Sequence, residues 1–352
     1  KDNFAEVQNA LSILTVFMYM DTSLTSMFFN REFVDVLLEG LNYEDLSSYI
    51  IKLLRSLLKN GTSLDKWHYL FSFNSLLNTL TSSVDDKCSA IKLIIDMIST
   101  CSLKNTDLMR CATVFAIGIG NSDIKTKCIS LKGFGTILRR IGSKAEFVKR
   151  SNLSHLLSAL ISRTSDADLF TACTKIVVLF LEEHLPAEFV PLKELISRIT
   201  EFRAAVKWGI RAINLALTPA FSEVLKELEV HKLLYSAWKS GNYHQDEEII
   251  KTLCNLAAFN QSFCNTFLPE YLHIFHDALC YDSSEICLCA LTELIHSIDF
   301  AKSAPFRDEY FAAIEKLGFY ELLEEWGEST NSRCQVLADI ALEALGEADT
   351  VF

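Results

Sequence analysis

Turn-forming residues are scarce in this chain. Its 352 residues include only 12 Gly and 5 Pro, too few to punctuate the many short strands of an all-β fold. Long apolar runs are missing as well. The longest strong one spans 176–181, well short of the roughly 18 residues that cross a bilayer, so no membrane partner is expected. Signals for disorder are also absent, because 50% of the residues are hydrophobic and such a chain buries enough apolar surface to fold. Excess positive charge is lacking too. The net charge of −12 argues against nucleic acid, which is normally held by counterion release at Lys and Arg.

Chemistry-bearing motifs are equally thin. No CxxC occurs among the 11 cysteines, which are scattered on apolar faces. They read as buried, reduced thiols of a cytoplasmic or nuclear protein. There is no P-loop, GxSxG or HExxH. Gly118 and Gly120 follow an apolar helix with no third glycine on schedule, and read as a helix end. His273, His276, Asp277 and Cys280 share one helical face. The outer two stand about 10 Å apart along the axis, too far to converge on one ion. The expectation is therefore a non-enzyme with no cofactor and no metal. The chain begins with Lys and shows no signal peptide, which suggests a processed fragment with an N-terminal segment missing.

What is present is a repeat. A short helix with paired apolar residues, a polar turn and a longer apolar helix recur along the chain. The longer helices are expected at about 6–19, 44–59, 85–100, 123–141, 166–183, 202–217, 245–259, 283–298 and 329–345, with apolar residues at i, i+3, i+4 and i+7. Pro186, Pro269 and Pro305 fall where repeat corners belong. Aligning the apolar stripes defines a column through Thr136, Val178, Asn214, Asn255, Glu293 and Asp339, with spacings of 42, 36, 41, 38 and 46. A period near 40 is that of armadillo and HEAT repeats. Such a unit cannot bury both faces of its helices alone, and stacking on its neighbours completes the core. The expected fold is an all-α, right-handed armadillo/HEAT-type α-solenoid of about eight to nine repeats. It forms a single armadillo-like repeat domain over 1–352.

Two surface features stand out. Asn214 and Asn255 share a phase in adjacent repeats. A side-chain amide offers both a donor and an acceptor, so a ladder of amides can pair with the backbone of an extended peptide. The late helices should place it on a concave face. The stretch 305–352 carries 11 acidic and 3 basic residues. Within it Glu321, Glu324, Glu325 and Glu328 are spaced to form one helical face, suited to steering a basic partner.

The segments AINLAL at 212–217, TLCNLAAFNQSF at 252–263, CLCALTELIHS at 287–297 and the closing run 314–345 resemble the importin-α (karyopherin-α) family of nuclear import adaptors. The resemblance implies an armadillo fold whose groove binds a basic cargo peptide resembling a nuclear localisation signal. It assigns that contact to Asn214, Asn255, Glu293 and Asp339. It further implies an import or export receptor as partner, engaged near the last repeat by Glu321, Glu324, Glu325 and Glu328, and residence in cytoplasm and nucleus. In that family a Trp stands four residues before each Asn, whereas Ile210 and Lys251 hold those positions here. A general armadillo scaffold or chaperone cofactor with another protein partner is the alternative.

Overall fold

The computed structural model describes residues 2–21, 23, 31–60, 77, 86–239, 246–264, 269–281 and 283–349. The Ser240-Gly241-Asn242 stretch, which reads as a polar turn between helices, and Trp67, one of the four tryptophans, lie outside them. The described residues are 84% helical. They form nineteen α-helices and four short 3-10 segments, with no strand among them. The chain groups into two compact units, Lys1–Pro191 and Leu192–Phe352. The single repeat domain read from the sequence stays a proposal.

In the first unit the long helices are α1 (Asp2–Met20), α3 (Glu44–Asn60), α4 (Lys87–Thr100), α6 (Ile124–Leu138) and α9 (Ala167–Glu182). Each packs on the next in that order, forming one layer. Behind it stand α2 (Arg31–Gly40), α5 (Asn105–Ile119), α7 (Lys144–Ser151) and α8 (Leu153–Arg163). The starts of successive long helices follow one rule. Asp86, Asp123 and Asp166 are N-caps whose carboxylates accept backbone N–H groups of Ser89, Thr126 and Leu169 at 3.0, 2.9 and 2.8 Å. An aspartate there satisfies orphan amides and complements the helix dipole. The layers touch most closely where α5 meets α6. A Cβ on Gly133 would come within 2.5 Å of the fully buried Phe115 ring, so only glycine lets these helices approach. Gly118 and Gly120 end α5, as read from the sequence.

The second unit repeats the plan. Its long helices are α11 (Val206–Leu215), α14 (Asp246–Cys264), α16 (Ser284–Lys302) and α19 (Ser332–Asp349), again packed each on the next. The other layer holds α10 (Leu192–Arg198), α12 (Ser222–Glu227), α13 (Val230–Lys239), α15 (Glu270–Leu279), α17 (Arg307–Lys316) and α18 (Phe319–Gly327). Both units are α-solenoids of the armadillo/HEAT type.

Three helix triads show the armadillo plan most fully: α7–α8–α9, α12–α13–α14 and α17–α18–α19. In each, the corner between the first two helices contains one left-handed residue. These are Asn152 at φ 54°, Glu229 at φ 44° and Gly318 at φ 73°. Asn and Gly tolerate that conformation, whereas Glu does not favour it.

The nine long helices match those expected from periodicity. The expected start at 202 is shifted, because Phe202 is extended and buried between two 3-10 turns, so α11 begins only at Val206. The aligned column also slips at Val178, which is 2% exposed and part of the core.

Candidate peptide-binding face

The Asn pair is a physical contact. Asn255 on α14 donates its side-chain amide to the Asn214 carbonyl oxygen on α11 at 3.1 Å. Asn214 in turn donates to the Thr252 hydroxyl at 2.8 Å, and Thr252 donates to the Glu248 carbonyl one turn back at 2.7 Å. Thr252 is buried, Asn214 half-buried and Asn255 exposed. The chain of bonds therefore starts inside the layer and emerges at the surface. It leaves the Asn255 carbonyl oxygen, and one of that amide's two N–H groups, available for a peptide backbone.

A cavity of about 530 Å³ opens beside the pair, lined by Lys207, Trp208, Ile210 and Arg211 from α11 and by Glu248 and Lys251 from α14. Ile210 is buried at 4% exposure, so it forms floor. The indole that walls the cavity is Trp208, which carries Arg211 over its ring at 5.9 Å. Lys251 forms an ion pair with Glu285 of α16, and its ammonium is held above the usual lysine range chiefly by that hydrogen bond.

Glu293 and Asp339 lie on the next two long helices. The hydrogen bonds that join Asn214 and Asn255 do not extend to them among the described residues. Glu293 has a side chain only 15% exposed and approaches His296 at 3.4 Å. Burial raises its carboxyl above the usual range, against the opposing pull of His296. A cation placed there would relieve that cost. Asp339 is exposed, and its oxygen lies 3.4 Å from where a Cβ on Gly327 would stand, facing the end of α18. Glu321, Glu324, Glu325 and Glu328 are all exposed. The first three lie on α18, and Glu328 is its C-cap.

The His273–Cys280 face serves to join repeats. Tyr235 of α13 donates to Asp277 at 2.5 Å, and Lys239 pairs with the same carboxylate. Burial alone would raise Asp277, but the bonds from Lys239 and Tyr235 hold it below the usual carboxylate range. His276 packs edge-on against Phe319 at 5.8 Å. Trp326 donates its indole N–H to the Leu279 carbonyl at 2.9 Å, and Trp238 is 7% exposed, so both tryptophans serve packing. No group of three metal-ligating side chains converges among the described residues. Ten of the eleven cysteines are free thiols.

No protein-family model matches the chain, and no curated protein matches it. Its similarity is to solved structures. One is the crystal structure of an engineered protein, with a TM-score of 0.63 at 14% identity, covering 96% of this chain and 84% of that one. Another is a designed armadillo repeat protein, with a TM-score of 0.37 at 13% identity, covering 78% of this chain and all of that one. At such identity the first likeness speaks for the fold alone. It agrees with the stacked layers and helix triads, which give an α-solenoid fold of the armadillo/HEAT type.

Proposed function

We propose that the chain is a protein-binding scaffold that holds an extended peptide segment of its partner against the α11–α14 face. The observation that carries this reading is the Thr252–Asn214–Asn255 chain of hydrogen bonds. It fixes an exposed amide in one orientation, and a fixed amide recognises backbone at little cost in ordering. Trp208 and the adjoining cavity supply apolar area for a side chain of the segment.

A narrower second reading is an adaptor of the nuclear import type, moving between cytoplasm and nucleus with a basic cargo peptide and an import or export receptor. Two observations favour it. Glu285 neutralises Lys251, which would otherwise repel a basic side chain, and four glutamates at α18 stand exposed for a basic partner. Glu293 and Asp339 would then serve the cationic groups of cargo.

Fluorescence anisotropy of the full chain with labelled basic, neutral and acidic peptides tests both readings. Asn255→Ala should weaken the peptide that binds α11–α14 by about fivefold, the worth of one hydrogen bond of about 1 kcal/mol. Unchanged affinity would remove the scaffold reading of this face. A preference for neutral over basic peptides would remove the import reading and leave the first standing.

A further inference from the structure

A second cavity lies in the other unit, between α6 and α9. It is an open groove of about 890 Å³. Lys125, Lys132 and Arg139 reach it from α6 and Lys175 from α9, against two carboxylates, Asp123 and Asp168. The carboxylates sit at the N-terminal ends of the two helices. Asp123 is turned into the start of α6, accepting from the Thr126 amide and hydroxyl at 2.9 and 2.6 Å. Lys132, Arg139 and Lys175 occupy the remainder and are exposed. Among the described residues no acidic side chain lies within salt-bridge distance of Lys132 or Arg139. In a chain of net charge −12, a groove with this excess of cations runs against the average.

The floor between the cations is apolar, made by Ile129, Ala172, Ile176 and Leu179. Gly135 keeps it deep, since a Cβ there would come within 3.1 Å of Ile176. The Thr171 hydroxyl oxygen is shielded from solvent and has no hydrogen-bond partner within the protein. A buried hydroxyl of this kind favours a ligand that brings a polar group to it. None of the lining residues is aromatic, which removes the stacking platform that single-stranded nucleic acid uses.

We propose that the α6–α9 groove docks an extended acidic protein segment, its carboxylates on Lys132, Arg139 and Lys175 and its apolar side chains on the Ile129–Ile176 floor. A helix the length of α6 runs about 22 Å. That matches about seven residues of extended chain, whose side chains alternate between two faces. Alternating acidic and apolar residues therefore suit cationic walls over an apolar floor. The proposal is independent of the α11–α14 reading, because it concerns another unit and the opposite charge.

The test uses the full chain and a labelled peptide of about seven residues alternating glutamate with leucine. The controls are the same peptide with lysine for glutamate and a single-stranded oligonucleotide of similar charge. The glutamate peptide should bind, weakening steeply with added salt, and the lysine peptide should not. Lys132→Glu with Arg139→Glu should weaken it by about tenfold or more, while Lys251→Glu and Asn255→Ala leave it unchanged. Circular dichroism checks that the variants keep their helices, and the salt titration needs no variant. Failure of the glutamate peptide to bind, equal binding of the oligonucleotide, or indifference to the double charge reversal would each overturn the proposal.

Discussion

Thr252 holds Asn214 in place across two helices: its hydroxyl accepts the Asn214 amide at 2.8 Å while itself donating to the Glu248 carbonyl. This buried hydroxyl is the anchor of the exposed Asn255. Thr252→Val keeps the shape but removes the acceptor, leaving a half-buried amide with one partner fewer. The variant should lose about 1 kcal/mol of stability in a urea titration. It should also weaken whatever peptide Asn255→Ala weakens, although Thr252 is too deep to touch it. A binding defect confined to Asn255→Ala would mean that the orientation of the amide does not matter.

The three left-handed corners predict opposite responses to complementary substitutions. Gly318→Ala places a Cβ where φ is 73° and should destabilise by about 1 kcal/mol. Glu229→Gly relieves the same strain at φ 44°. It sacrifices only an exposed ion pair with Lys232, which is worth little. Its thermal midpoint should stay level or rise. A fall comparable to that of Gly318→Ala would show that Glu229 matters for more than its corner.

Gly133→Ala should be among the most damaging single-methyl additions in the chain. The new Cβ would lie 2.5 Å from the Phe115 ring, and overpacking of this kind costs about 1–3 kcal/mol. Phe115→Leu in the same chain should recover part of the loss, because it removes the atoms that clash. Two additive losses in the double variant would contradict the close-approach account.

Stability should also fall on mild acidification. His231 packs on Tyr271 at 5.5 Å with its Nε2 atom unpartnered. Burial lowers its pKa below the ordinary 6.5, and Lys232 adds to that effect while Glu270 and Glu229 oppose it. The unfolded chain therefore takes up the proton first as pH falls. This residue's contribution is intact above about pH 6.5 and declines below it. Thermal midpoints between pH 7.5 and 5.5 should show a downward slope that His231→Phe flattens. An identical slope in the variant would assign the pH dependence to other groups.

The repeat was legible because each long helix carries an apolar stripe at i, i+3, i+4 and i+7 that holds its period over several turns. The shorter helices were harder to see. α7 is polar along most of its length and α17 buries only Tyr310 and Ile314, so neither shows a stripe wide enough to read. The phase of Asn214 and Asn255 was visible in sequence, but Thr252 and the Lys251–Glu285 pair were not, since both depend on which helices end up side by side. The cationic groove escaped for a related reason. Its four cations come from two helices about 40 residues apart in a chain whose overall charge is acidic, and only folding collects them.

The layered packing has a mechanical consequence. Within each unit a long helix packs chiefly on its neighbours in chain order, as α14 does between α11 and α16. A force drawing the ends of a unit apart therefore meets no single fastening that everything else depends on. Repeats would peel off in sequence from an end, each releasing about 40 residues, or about 140 Å of contour at the extended limit of about 3.5 Å per residue. Such a chain yields in steps and recovers by re-zipping against the helices still in place, the behaviour of a tether with reserve length.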